Sequence, residues 1–236
     1  MRHSGASSCL LLLLLIAASV PAAQQLTGFP FTDESLSYAL KGPTGIPLGD
    51  AHLTAKRADA GWAFDLKANA GIPGFAIKDD YTSRINSDFC STAFTRQFEH
   101  GSHKGREEET IDRSQETVTR ATIGGGGGKS DFPVTDCMKD ALALLYYARQ
   151  ELGQGRVPPP QQFLFGGLYD INMSYAGAEN VQASGQTAVT DKIVCTVKGP
   201  ASSFVFEMYF ARDAARTPLL VKIPFVVGTF SMELVR

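Results

Sequence analysis

Residues 124–128 are five consecutive glycines followed by Lys129 and Ser130, and a glycine-rich backbone ending in Lys-Ser is how a phosphate loop cradles a nucleotide. The spacing decides against that chemistry. A phosphate loop needs a glycine five positions before the one that precedes its lysine, and Ile123 occupies that place. The context disagrees as well: a buried strand should lead in and a helix should begin at the lysine, whereas a charged stretch precedes the run and Asp131-Phe132-Pro133 follows it. The glycines read as a flexible turn that contributes nothing to a core, and no nucleotide partner is expected.

Other candidate chemistry is equally thin. His100 and His103, with Glu99 and Glu107 nearby, have metal-ligand donor types, but they flank Gly101-Ser102 and Lys104-Gly105, a polar turn in which histidine needs no partner; no metal is assigned. No serine stands in a G-x-S-x-G elbow. Cys137 precedes a helical pattern, and a helix N-terminus lowers a thiol pKa, yet no histidine has a motif relation to it. Asp79 and Asp80 are neighbours on a strand pattern and so face opposite sides. No catalytic residue and no cofactor are assigned.

Three cysteines follow the leader segment: Cys90, Cys137 and Cys195. In "KIVCTV" Cys195 alternates with Ile193 and Val197, so it falls on the apolar side of a strand as a buried thiol. Cys90 and Cys137 remain as the pair for a disulfide, which would close a loop of about 48 residues and contribute roughly 4 kcal/mol by chain entropy. Three reduced thiols are the competing arrangement.

The elements that must position these residues are mostly strands. Leu36, Tyr38 and Leu40 alternate with polar or small residues, as do Ala51, Leu53 and Ala55, and then Trp62, Phe64, Leu66 and Ala68. Gly/Pro-rich breakers separate them, as in an antiparallel meander. From Tyr81 to Ile123 the alternation becomes polar, and the charge run over residues 106–113 reads as an exposed strand or loop. One segment breaks the period: "TDCMKDALALLYYARQELGQG" predicts an amphipathic helix over about 136–152, capped by Thr135 or Asp136 and ended by Gly153 or Gly155. "RVPPPQQ" is a stiff connector, after which strand patterns return near 169–175, 191–197, 203–211, 219–226 and 228–235. The fold class is mainly β: an antiparallel curved sheet or incomplete β-barrel with one amphipathic helix.

The opening "MRHSGASSCLLLLLLIAASVPAAQQ" has Arg2, an apolar run and small residues before Gln24, the pattern of a cleaved secretory signal over residues 1–23. The run over residues 9–18 falls short of the roughly 20 apolar residues that span a bilayer, so no transmembrane anchor is expected in the mature chain. Residues 24–236 are expected to form a single β-rich domain, periplasmic or secreted. Losing Arg2 takes the net charge from −2 to −3, and lysines and arginines are interspersed with acids, which leaves no basic face for nucleic acid.

Several stretches together resemble one family. "LSYAL", "GIPLGDAHL", "DCMKDALALLYYAR", "GGLYDINM", "ARDAARTPLLVKI" and "GTFSMEL" occur in the order and spacing of the exported bacterial proteins of domain of unknown function 3108, from about Phe31 onward. The resemblance implies an envelope location and a mainly β fold, and it brings no catalytic residues. Tyr209 and Phe210 stand where that family often has a tryptophan, and the glycine run is peculiar to this chain. Asp213 is expected to cap a hairpin turn with Arg216 paired to it. The resulting expectation is a non-catalytic binding or structural module of the envelope, with a hydrophobic or lipid-like ligand or an envelope protein as partner. Trp62, Phe64, Tyr169 and Tyr175 are the ligand-facing aromatics, and the same residues would otherwise be core. A hydrolase acting on an envelope polymer is the alternative.

Overall fold

The alternation becomes one sheet of fifteen strands in a computed structural model that describes residues 33–58, 61–72, 74–124, 127–135, 137–200 and 203–235. The signal expected over residues 1–23 lies outside the described residues, as do Gly125, Gly126 and Asp136. In chain order the strands are β1 Asp33–Lys41, β2 Pro47–Ala58, β3 Gly61–Ile72, β4 Phe75–Asn86, β5 Ser91–His100, β6 His103–Asp112, β7 Thr117–Thr122 and β8 Lys129–Pro133. After these come β9 Lys139–Asp140, the helix α1 Ala141–Gly153, β10 Gln161–Leu164, β11 Leu168–Ala183, β12 Gln186–Lys198, β13 Ser203–Ala211, β14 Pro218–Phe225 and β15 Gly228–Leu234.

β1 and β15 pair at the middle of the sheet, and two antiparallel meanders run outward from that seam, one to β8 and the other to β10. Among the described residues only the last ladder, β9 on β10, is parallel. The sheet curls around α1 without closing: β8 and β9 are the two end strands, and among the described residues no ladder joins them. The ends nevertheless approach. The Ser91 N–H of β5 donates to the Met138 carbonyl at 2.8 Å just before β9, and Ile111 and Val118 share a core cluster with Met138 and Leu164.

α1 fills the trough. Leu142, Ala143, Leu144, Tyr146, Ala148, Arg149 and Leu152 are all buried. The Tyr146 ring stacks on Phe64 at a centroid distance of 3.9 Å and an interplanar angle of 4°. Arg149, whose side chain is 0% exposed, holds Glu34 of β1 through Nη1 at 2.7 Å and Nη2 at 2.6 Å, and its Nε donates to the Ala215 carbonyl at 3.0 Å. A buried guanidinium is tolerable only with such a partner, because its desolvation is expensive.

The helix begins five residues later than the sequence pattern suggests. Asp140 is its N-cap: Oδ1 accepts from the Leu142 and Ala143 N–H groups at 2.9 and 3.0 Å, while Oδ2 accepts from the Ser83 and Ser91 hydroxyls at 2.6 Å each. Those four bonds, together with the pairing of Lys139 and Asp140 on Phe163 and Leu164, hold the preceding segment extended, so neither Thr135 nor Asp136 starts the helix. The C-terminus is a Schellman turn: the Gly155 N–H donates to Leu152 and the Arg156 N–H to Glu151, with Gly155 at φ 74°.

Cys90 and Cys137 are joined in a disulfide with their Cα atoms 4.8 Å apart. Because Cys137 precedes α1, the bond fixes the approach to β9 rather than the first helical turn. Cys195 is fully buried, and burial pushes its thiol up to about 12. Directly after the glycine run Lys129 starts an edge strand paired with Ala121 of β7, which no phosphate loop does. At the β13–β14 turn Asp213 accepts from the Thr217 N–H and hydroxyl as a cap, but Arg216 pairs with Asp191 at 2.7 Å rather than with Asp213. The reason is reach: Asp191 on β12 already gathers Arg212 at 2.7 Å, and its carboxylate serves both guanidinium groups.

Candidate functional site

Cross-strand register builds a polar cluster on the inner face of β4–β7. Ser83, Phe94, Glu109 and Arg120 are successive partners across these strands, and Tyr81, Arg96 and Glu107 form the adjacent row. The β10–β11 loop closes over them. Phe165 meets Tyr81 edge-on at 5.3 Å, and the Arg96 guanidinium lies 5.1 Å from the Phe165 ring and 5.2 Å from that of Phe98. Arg96 Nε donates to Glu107 at 2.7 Å, and Arg120 donates to the Gly166 carbonyl. Gly166 suits this place: its φ of 69° is one that L side chains rarely adopt, and a Cβ would press on the Arg96 guanidinium, 2.7 Å from Cζ.

Glu109 is the anomaly of the cluster. It is 2% exposed, and neither carboxylate oxygen has a hydrogen-bond partner. Burial pushes its pKa up to about 7; the Gly166 N–H, Arg96 and Arg120 oppose the rise without reaching bonding geometry, and Glu107 adds to it. Tyr81 is likewise raised, first by burial and then by Asp79. The arrangement can hold one proton near neutral pH at a place closed to solvent.

The sequence-predicted site residues separate. Trp62 and Phe64 are buried in the cluster that packs on α1; a ligand reaching Phe64 would have to displace Tyr146. Tyr169 is half-buried against Phe163 at 5.6 Å in a second cluster. Tyr175, further along β11, is 52% exposed. His100 bonds Asp79 at 2.9 Å, Glu99 pairs with Lys104 at 3.1 Å, and Glu107 is taken by Arg96. Among the described residues no group of three or more His, Cys, Asp or Glu is placed to hold a metal. Glu109, Arg120 and Asp140 were not singled out by sequence, although Ile111 shares Glu109's phase two residues on and could have signalled an inward carboxylate.

Two grooves open on the outer face. One, of about 730 Å³, crosses β3–β7 between Lys67, Asp80, Gln97 and Arg106; the other, of about 620 Å³, lies between Gln162, Asp170, Asn172 and Lys198. The first is lined by charges that already pair, Lys67 with Asp80 at 2.6 Å and Lys104 with Glu99. Polar and charged residues make up most of the lining of both.

The fold is similar to the crystal structure of a beta-barrel-like protein of domain of unknown function DUF1849 from Brucella abortus, with a TM-score of 0.65 and 8% identity over 89% of this chain and 98% of that one. At that identity the likeness is one of fold alone. No curated protein matches. Among the described residues no helix is long and apolar enough to cross a membrane. The pattern described as "Protein of unknown function (DUF3108)" matches residues 35–235, nearly the whole of the stretch that carried the resemblance, and the chain belongs to that family.

Proposed function

We propose that the chain is an exported cell-envelope protein whose residues 24–236 work as one non-catalytic binding module for an apolar or lipid-like partner. The observation that carries this reading is where the apolar surface is left over. The trough that would have taken a hydrophobic ligand is filled by α1, while Ile46 at 58%, Phe225 at 58% and Val226 at 106% exposure stand in solvent on turns. The Cys90–Cys137 bond supports export, since such bonds persist in oxidising compartments. A second reading, a hydrolase of an envelope polymer, draws on Glu107 and Glu109 sharing one face with Glu109 near pKa 7. It is the weaker one, because Arg96 holds Glu107 and the Phe165 loop shuts Glu109 away from any substrate. Two measurements test the proposal together. N-terminal sequencing of the protein recovered from the periplasm or medium should begin near Ala23 or Gln24, and native mass spectrometry should show adducts with a short-chain phospholipid below its micelle concentration. Retention of Met1, or no adduct with any lipid, would overturn it.

A further inference from the structure

The sheet sorts its turns by end. Strand direction places the β1–β2, β3–β4, β5–β6, β7–β8, β10–β11, β12–β13 and β14–β15 turns at one end, and the β14–β15 turn touches the β1–β2 turn, where a Cβ on Gly228 would lie 2.7 Å from Pro43. Most of the chain's exposed large apolar side chains are at this end: Ile46, Phe75, Ile123, Phe225, Val226 and Val227, at 44–106% exposure, with Phe204 and Val205 just behind. The opposite turns, Ser87-Asp88, residues 113–116, Ser184-Gly185 and residues 212–217, carry none.

Charge is sorted the same way. Eight lysines and arginines, Lys41, Lys78, Lys104, Lys129 and Lys198 among them, lie within four residues of the apolar end's turns, against four carboxylates, Asp50, Glu99, Asp131 and Asp170. Glu99 is shared between Lys78 at 3.8 Å and Lys104 at 3.1 Å, and Lys41 is paired with Glu233. At the opposite end, among the described residues, Asp33, Glu34, Asp88, Asp112, Glu116 and Asp213 balance Lys56, Arg57, Arg84, Arg113, Arg212 and Arg216.

Apolar tips ringed by lysines match a water–lipid boundary carrying negative headgroups, where the tips enter the acyl region and the ammonium groups meet phosphates. From this geometry we infer that the chain docks end-on against an anionic lipid bilayer through this rim, with the β14–β15 tip as the deepest point. Phe225 is braced edge-on by Phe230 at 5.3 Å, so the tip is presented on a paired hairpin rather than a loose loop.

This inference deepens the binding-module reading and rests on it, yet it fails separately: adducts with monomeric lipid and no vesicle binding would sink the rim alone. The test uses the mature protein with vesicles of phosphatidylcholine containing about a third phosphatidylglycerol. Wild type should co-sediment with them, and Phe225→Ser/Val226→Ser and Lys78→Gln/Lys104→Gln should each lose on the order of tenfold in partitioning while keeping the wild-type melting curve. Val226→Trp keeps the test open if the tip variant does not fold: its emission should shift to the blue on vesicle addition, against a native Trp62 that is already buried. Unchanged emission, equal binding by the variants, or a tip-dependent dimer that ignores vesicles would each overturn the inference.

Discussion

Replacing Glu109 by Gln should stabilise the protein at pH 8 and do nothing at pH 4. The folded carboxyl titrates at about 7 against an ordinary value of 4.5, because burial penalises the anion more than Arg96, Arg120 and the Gly166 N–H favour it. A group whose folded pKa is raised binds its proton more tightly in the native state. Its contribution is therefore complete below about pH 4.5 and is lost as pH rises through 7. A rise from 4.5 to about 7 corresponds to about 3 kcal/mol, with order-of-magnitude precision, at pH above both values.

Glutamine keeps the shape and never ionises, so that loss should vanish in the variant. Urea unfolding followed by Trp62 fluorescence at several pH values between about 4 and 8 reads it directly, because every other titrating group cancels in the difference between the two proteins. The expected result is a stability difference near zero in acid that grows in favour of Glu109→Gln above neutral. A constant difference across the range would refute the reasoning and mean that Glu109 is solvated or paired in solution.

Arg149→Met should cost about 3–5 kcal/mol in the same assay, since it leaves Glu34 buried beside Tyr146 without its partner; Arg149→Met/Glu34→Gln should recover part of the loss, and a single variant within 1 kcal/mol of wild type would contradict the packing of α1 on β1. Cys90→Ser/Cys137→Ser, or addition of reductant, should lower stability by about 4 kcal/mol, and non-reducing peptide mapping should return a Cys90–Cys137 peptide and free Cys195; a peptide containing linked Cys195 would break the placement.

The strands of the first half were legible because one face of each is dry: Leu53 and Phe64 are buried where their neighbours Thr54 and Asp65 are not. The C-terminus of α1 was legible from Gly155. Its N-terminus was not, because Asp136 and Asp140 are equally good caps on paper and only the Ser83 and Ser91 hydroxyls, fifty or so positions away in sequence, choose between them. β9 and β10 carry no period at all. Two and four residues long, they exist because Phe163 and Leu164 find Lys139 and Asp140 on one side and β11 on the other. Glu109 was hidden by its company: a run such as "REEETID" reads as a solvated face until the Ile111–Val118 pair shows which side is dry. The four aromatics were legible as strand residues, but whether they converge depends on how far the sheet curls, and period-two patterning contains no curvature.

An unclosed sheet leaves two edges on which another chain could add a strand, and both are blunted. β8 has five residues, begins with Lys129, places Asp131 in its middle and ends at Pro133, which has no N–H to offer. β9 has two residues, and its surroundings are tied down by the Cys90–Cys137 bond, the Ser91–Met138 backbone bond and the buried Asp140 carboxylate. Strand addition is therefore a poor route to a partner, and the filled trough is a poor route to a ligand. What remains unmanaged is the turn end, where apolar side chains stand exposed on hairpins that pair well below the tip. A protein that had only to stay folded and monomeric would gain solubility by putting polar residues at Phe225, Val226 and Val227, as it does at every described turn of the other end. Their concentration at one end is the asymmetry that a surface-docking role explains and a purely structural one does not.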